Sequence, residues 1–287
     1  MVMISSPPII LIKRGLILLT FLFIGSTSFS QKKIGLQLYS FRNELSKDLP
    51  GTMEKISKMG IKELEGGGLY GLQPGEYKSL LEKYQLTIVS VGADFNELDS
   101  NLQKPLERAK LFNAKYVVCF WIPHNGNEFG IEDANKAIAV FNKAGKFFKE
   151  HGLSFCYHPH GYEFRPFSNQ TIFDHMVQKM DSRSVNFEMD VFWVKHPGQD
   201  PVALLKKYPN RFPLLHLKDR RIGTIGNQNG QADEETNVVL GTGDVDIKAI
   251  LKTANKLKGV KYYFIEDESS RAMDQVPKSI AYLKALK

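Results

Sequence analysis

The sequence predicts an α/β chain that folds as a single (β/α)8 barrel, the architecture known as a TIM barrel. Eight short apolar segments, rich in β-branched residues, alternate with eight segments of helical periodicity. Eight such units fit a chain of 287 residues. An open doubly wound sheet is disfavoured, because Gly66-Gly67-Gly68 lacks the G-x-G-x-x-G spacing of a dinucleotide site.

The predicted strands are short apolar runs, and a helix would usually need a longer run. In chain order they are residues 33–39, 61–65, 86–91, 115–121, 153–158, 185–190, 212–218 and 261–266. Each of the last four has, at or near its carboxyl end, a side chain that can bind a metal ion, so these ends are candidates for one shared site.

The predicted helices follow from apolar residues at a spacing of three or four and from start and stop signals. Met53, Ile56 and Met59 share one face of the first helix, Gly60 ends it, and Pro74 begins the second. The predicted helices are residues 49–59, 74–84, 101–112, 132–151, 169–180, 201–208, 246–257 and 276–286. A long polar loop is predicted over residues 220–237.

The first thirty residues, 1–30, predict a signal peptide, and residues 31–287 form the predicted barrel domain. Lys13 and Arg14 precede the apolar run 15–25, and small residues at Ser28 and Ser30 suit cleavage before Gln31. The run is short for a membrane span, although an uncleaved N-terminal anchor is the alternative. We therefore expect an exported, periplasmic protein without a stable membrane anchor.

The charge and the cysteines indicate neither nucleic-acid binding nor a disulfide. The formal net charge is +7, but the lysines are scattered and predict solvated helix faces rather than a nucleic-acid-binding arm. Cys119 and Cys156 both lie in predicted strands, which favours buried thiols over a disulfide.

His158, Asp190, His216 and Glu266 stand at the ends of predicted strands five to eight. The carboxyl ends of barrel strands meet at one face, so these side chains can converge. Two imidazoles and two carboxylates suit one divalent ion such as Mn, Co, Zn or Fe. Whether His158 or Glu163 is the ligand from the fifth strand is left open.

The pattern resembles the xylose-isomerase-like barrel superfamily of sugar isomerases, epimerases and lyases, in its exported branch labelled sugar phosphate isomerase/epimerase-like. The resemblance rests on residues 34–40, 157–160, Asp190 with Trp193, 216–219, 240–246 and Glu266. It implies a metal site, and it implies that His158 replaces a glutamate ligand while His160 matches the following histidine. Of the paired glutamates that move the proton in related epimerases, this chain then keeps Glu266 alone.

The chemistry expected of such a site is removal of a proton next to a sugar carbonyl, which gives an enediolate. The candidate catalytic residues are Glu266, Lys218, His160 and Glu163. Lys218 shares strand parity with His216 and is expected to face inward, where burial beside a dication would lower its pKa.

Aromatic and imidazole side chains near strand ends are candidates for contacts with a small carbohydrate substrate. These are Trp121, Trp193, His124 and Tyr39.

The main functional hypothesis is a metal-dependent isomerase or epimerase that acts on a keto or aldose sugar. The alternative is a lyase that expels the aglycone from a 3-keto-glycoside, which export and the missing second glutamate favour. A second alternative is a non-catalytic periplasmic sugar-binding protein. A nuclease on the same barrel is disfavoured, because we find no further ligands for a metal cluster and export argues against DNA.

We expect the mature protein to begin near Gln31, because Ser28 and Ser30 suit signal peptidase. N-terminal sequencing of the protein isolated from the periplasm of its host checks this. A cytoplasmic protein that still begins at Met1 would contradict it.

Overall fold

Eight parallel strands close into a barrel in the computed structural model, which describes residues 2–3 and 33–286. The last strand pairs with the first, so the predicted (β/α)8 barrel is confirmed. The strands are β1 Lys33–Gln37, β2 Glu63–Gly66, β3 Thr87–Gly92, β4 Tyr116–Cys119, β5 Ser154–Tyr157, β6 Val185–Asp190, β7 Leu214–Leu217 and β8 Tyr262–Ile265.

The helices of the described residues surround this barrel. They are α1 Arg42–Lys47, α2 Leu49–Lys58, α3 Pro74–Lys83, α4 Phe95–Ser100, α5 Gln103–Phe112, α6 Ile131–Glu150, α7 Ile172–Lys179, α8 Val191–Lys195, α9 Pro201–Lys207, α10 Ile247–Ala254 and α11 Ala272–Ala285. None of them is long and apolar enough to span a bilayer.

Two predicted helix starts differ from the structure by three or more residues. The helix predicted from residue 169 begins at Ile172, because Pro166–Phe167 and Gln170–Thr171 pair as a small hairpin and the Thr171 hydroxyl caps α7. The helix predicted from residue 276 begins at Ala272 and carries Pro277 inside it.

Strand alternation divides the core into an outer and an inner part. The outer part packs between strands and helices, whereas a smaller cluster fills the barrel interior. That inner cluster consists of Val89, Tyr116, Val118, Cys156, Leu214, Tyr262 and Phe264, with Phe120 packed against it. Cys119 belongs to the outer part and Cys156 to the inner one, and both are free buried thiols, as predicted.

Hydrogen bonds connect the long segment after β7 to its surroundings. Asp219–Arg220 pairs with Asn237–Val238 as a short antiparallel ladder. The buried carboxylate of Asp219 accepts hydrogen bonds from the backbone N–H groups of Arg220, Gly241, Gly243 and Val245. These bonds fix the loop next to the carboxyl end of the barrel. The predicted signal peptide lies almost entirely outside the described residues and stays a prediction.

Candidate active site

A polar cluster lies above the inner apolar cluster, at the carboxyl ends of the strands. It forms because the inward-facing positions of β7 and β8 change from apolar to ionisable residues toward the carboxyl end, while β6 directs Glu188 and Asp190 inward. Its buried members are Gln37, Glu65, His158, Glu188, Asp190, His216, Lys218 and Glu266. The four residues proposed as metal ligands from the sequence are therefore brought together.

His158 and Asp190 face each other across the gap between β5 and β6. The Nε2 atom of His158 lies 3.8 Å from Oδ2 of Asp190. Neither atom has a hydrogen-bond partner among the described residues, and both are buried. The other oxygen of Asp190 caps α8 by accepting from the N–H groups of Phe192, at 2.8 Å, and Trp193, at 3.3 Å.

His216 contacts three carboxylates of the cluster. Its Nδ1 atom lies 3.2 Å from Oε2 of Glu266, and its Nε2 atom lies 2.5 Å from Oε1 of Glu65 and 3.3 Å from Oε2 of Glu188. Although burial opposes it, the charges of Glu188, Glu266 and Glu65 raise the pKa of His216 well above its usual value. The ring carries positive charge when these carboxylates are its sole ionic neighbours.

Lys218 faces inward, as strand parity predicts, and it is fully buried. Its Nζ atom lies 2.7 Å from Oε2 of Glu268 and 3.4 Å from Oε2 of Glu266. Burial alone would lower the pKa of Lys218, but Glu268, Glu266 and Asp190 raise it above the usual value. Without a metal ion, the expected lowering of the Lys218 pKa therefore does not occur, because each of these three carboxylates favours the ammonium form.

The cluster holds more carboxyl groups than nearby cations can balance. Burial raises the pKa of Glu188 to about 8, and repulsion from Glu65 adds to that rise. Burial likewise raises the pKa of Asp190 to about 7, although Lys218 opposes the rise. Carboxyl groups that resist ionisation, beside an unpartnered imidazole nitrogen, fit a bound cation.

The ligand atoms are close enough for a single ion. Donor atoms of Asp190, His216 and Glu266 all lie within 4.8 Å of one another, and the same holds for His158, Glu188 and His216. The orphaned Nε2 of His158 and Oδ2 of Asp190 lie on the same side. The residues present therefore fit a divalent ion bound by His158, Asp190, His216 and Glu266.

His160 lies beside the cluster and packs against two tryptophans. Its ring centroid is 4.7 Å from that of His158, 5.3 Å from that of Trp193 and 5.5 Å from that of Trp121. Burial and the charge of Lys218 lower the pKa of His160 to about 4, so its imidazole is neutral near pH 7. A neutral ring at the edge of the site can accept a proton.

The sequence-based candidates for substrate contact lie on two sides of the barrel mouth. Trp121 is 37% exposed and stacks on His124, whose Nδ1 atom lies 2.7 Å from the carbonyl oxygen of Ile122. Trp193 is buried, and its indole N–H has no hydrogen-bond partner among the described residues. Tyr39 is half exposed, with the guanidinium of Arg42 stacked on its ring.

Glu163, the remaining candidate, lies under the turn that carries His160. Its carboxylate accepts from the N–H groups of His160, at 3.2 Å, and Gly161, at 2.9 Å, and from the hydroxyl of Tyr157. The Tyr157 hydroxyl also contacts that of Tyr162, at 3.0 Å. The side chain of Glu163 is fully buried and holds the turn in place through these hydrogen bonds, whereas His158 lies against Glu188 and Asp190.

Three carboxylates of the cluster were not among the sequence-based candidates. Glu188 shares strand parity with Asp190, so its inward direction could have been inferred from a period of two. Glu65 ends the second predicted strand just as Glu266 ends the eighth. Glu268 gives no comparable signal, because it lies beyond the strand and reaches Lys218 only through the turn after β8.

A family model, described as the xylose isomerase-like TIM barrel, matches residues 53–286. The chain belongs to this family. The predicted resemblance is thus confirmed, and the chain is an enzyme of the xylose isomerase-like family.

Relatives within the family carry different activities. An inosose dehydratase from Mesomycoplasma hyopneumoniae is 25% identical, over 88% of this chain and 96% of that protein. The structure of a sugar phosphate isomerase/epimerase from Parabacteroides distasonis is 28% identical, covers 91% of this chain and 96% of its own, and has a TM-score of 0.74.

A structure of the IOLI protein with a bound zinc atom is 14% identical and has a TM-score of 0.68. It covers 88% of this chain and 96% of its own, and at this identity the likeness shows the fold alone.

Glu163 gives a pH-dependent prediction. Burial raises its pKa to about 7, although hydrogen bonds from Tyr157, His160 and Gly161 oppose the rise. Because the folded pKa lies above that of the unfolded chain, the stability supplied by protonated Glu163 is complete below about pH 4 and is lost as pH rises through 7.

Glu163→Gln keeps the shape of the neutral form and cannot ionise. From pH 5 to pH 8 we expect the wild type to lose roughly 2 to 3 kcal/mol of unfolding free energy relative to this variant. Urea unfolding of both proteins at several pH values measures the difference. Parallel pH profiles would show that Glu163 is ionised throughout.

Proposed function

We propose that this enzyme is a divalent-metal-dependent lyase that acts on a keto-polyol, such as a keto-sugar or its glycoside. It removes a proton next to the carbonyl and expels the oxygen substituent on the following carbon. The observation that carries this proposal is the convergence of His158, Asp190, His216 and Glu266 beside His160 and Lys218.

The metal site supports the proposal because its donors suit a borderline divalent ion. Two imidazoles with two carboxylates match Mn, Co, Zn or Fe, and their identity does not select among these. A bound ion of this kind polarises a carbonyl oxygen and acidifies the neighbouring C–H group. The zinc in the IOLI structure belongs to that protein, but it shows that a barrel of this fold can hold such an ion.

His160 is the base that we assign to the proton transfer. It lies against the proposed ligand His158 and packs against Trp193 and the partly exposed Trp121. When His160 takes the α proton, an enolate forms. The C–O bond on the next carbon then breaks, and its oxygen leaves with a proton that His160 can return.

Lys218 stabilises the negative charge that develops on the substrate. Its ammonium group is buried between Glu266 and Glu268 and lies 5.6 Å from the centre of the Trp193 ring. A fixed cation in a water-poor site acts strongly on a developing oxyanion. We assign to Glu266 the role of ligand, because Lys218 and His216 together lower its pKa far below the usual range in spite of burial.

The comparisons favour elimination. The dehydratase relative spans nearly the whole chain, and elimination from a ketone needs one base, whereas two-base epimerisation needs a partner on the opposite face. Water and an aglycone are both possible leaving groups. Aldose–ketose isomerisation or epimerisation is the second candidate, supported by the isomerase/epimerase structure at 28% identity.

The aromatic side chains suit a carbohydrate. Trp121 and Trp193 both pack against His160, and the apolar faces of indoles pack against the C–H faces of a sugar ring. We further propose that the enzyme works after export, where glycosides are more abundant than phosphorylated sugars.

Loss of a proposed ligand should abolish metal binding while the fold survives. We expect Asp190→Ala and His216→Ala each to lose most of the bound ion, because a barrel of this size buries enough apolar surface without it. Elemental analysis gives the metal content, and circular dichroism checks the fold. Stoichiometric metal in both variants would place the site elsewhere.

The catalytic assignments predict separate effects on turnover and on metal content. We expect His160→Gln to lower turnover by roughly 10²–10⁴-fold with the metal retained, as for loss of a general base. Lys218→Met should also slow the reaction without loss of metal. His151→Gln, at the exposed end of α6, is the matched control and should leave turnover unchanged.

The product identifies the reaction. With keto-sugars and keto-glycosides in deuterated buffer, a lyase releases water or the aglycone together with an unsaturated ketone, which absorbs in the ultraviolet. An isomerase or epimerase returns sugar of the same formula with deuterium at the α carbon. Tight binding of a sugar with neither result would make the protein a binding protein.

A further inference from the structure

Two carboxylates lie beneath the proposed ligands and contact the imidazoles from the side of the barrel interior. Glu188 and Glu65 are fully buried. Oε2 of Glu188 lies 3.0 Å from Nδ1 of His158 and 3.3 Å from Nε2 of His216. Oε1 of Glu65 lies 2.5 Å from Nε2 of His216.

The two imidazoles therefore use opposite nitrogens to contact these carboxylates. His158 turns Nδ1 toward Glu188 and Nε2 toward Asp190. His216 turns Nε2 toward Glu65 and Nδ1 toward Glu266. The two histidines come from different strands, since His158 follows β5 and His216 lies in β7.

A nearby divalent ion favours the ionised form of a carboxyl group. An ionised carboxylate can only accept a hydrogen bond, so a ring nitrogen that faces one which does not bind the ion carries the proton. In a neutral imidazole the other nitrogen then has a free lone pair, which is the form that binds metal. For His158 this leaves Nε2 as the donor atom. Both nitrogens of His216 face carboxylates, and Nδ1 is the donor atom because it faces Glu266, a proposed ligand of the same ion.

We infer that Glu188 and Glu65 are positioning residues that set the tautomers of the two metal-binding histidines, so that His158 binds through Nε2 and His216 through Nδ1. This inference rests on the metal site of the proposed function. It adds to that site two residues that do not themselves bind the ion.

The glutamates are themselves held in place. Oε1 of Glu65 also accepts from Nε2 of Gln37, at 2.9 Å, and Gln37 lies beside Glu65 in the pairing of β1 with β2. Glu188 shares its Oε2 atom between both imidazoles. Replacing Glu188 with Gln should therefore affect both histidines, whereas replacing Glu65 should affect His216 alone.

The test measures zinc affinity and ring tautomers in the full mature chain. Zn²⁺ alone is titrated in competition with a chelator. Spectra of protein labelled with ¹⁵N in its histidines, assigned with His158→Asn and His216→Asn, show which nitrogen carries the proton in the zinc-loaded form. Circular dichroism confirms that each variant is folded.

We expect the zinc-loaded wild type to show a protonated Nδ1 on His158 and a protonated Nε2 on His216. Glu188→Gln and Glu65→Gln should each weaken zinc binding about 10- to 100-fold. Glu268→Gln is the matched control, because it removes an equal charge that contacts Lys218 and neither imidazole. The zinc affinity of this control should stay within about threefold of that of the wild type, a smaller change than the one expected for Glu188→Gln and Glu65→Gln.

Other outcomes separate this inference from the proposed function. If the wild type bound zinc but both histidines used the opposite nitrogens, the inference would be overturned and the metal site would stand. Equal weakening by all three Gln variants would also overturn it, because charge alone would then explain the effect. A wild type that bound no divalent ion would overturn both.

Discussion

The site depends on how the barrel tolerates buried negative charge. Glu65, Glu188, Asp190 and Glu266 are removed from water at the carboxyl end of the strands. A lone buried carboxylate is costly, and several together repel one another. His216 and Lys218 offset part of this charge, and an ion of charge two would offset the rest.

The fold and the four proposed ligands could be read from the sequence because both depend on local patterns. Short apolar runs predicted the strands, and their final residues predicted Asp190, His216 and Glu266 as neighbours. Glu188 was missed although the same period of two points it inward. Glu268 could not have been found, because its contact with Lys218 depends on the path of a turn. The raised pKa of Lys218 was likewise beyond reach, since it depends on three carboxylates from different strands and loops.

A histidine at position 158 changes the character of the site. A glutamate there would add another buried negative charge and a second base, as the resemblance to the epimerases implies. The imidazole of His158 instead offers an uncharged nitrogen as the proposed ligand atom, and Glu188 contacts its other nitrogen. The base that we propose is His160, which belongs to the same turn. On that proposal, one exchange replaces two opposed carboxylate bases with a single base on one side, which suits elimination.

Asp190 divides its two oxygens between different partners. One oxygen caps α8 through the N–H groups of Phe192 and Trp193, and the other faces Nε2 of His158. The rings of Phe192 and Trp193 in turn lie over Lys218. For an ion bound by Asp190 as we propose, ion binding and the order of these aromatic rings are thermodynamically linked through one side chain. By reciprocity, a ligand that orders Trp193 would then also strengthen ion binding, so the proposed metal site would release its ion least readily in the ligand complex.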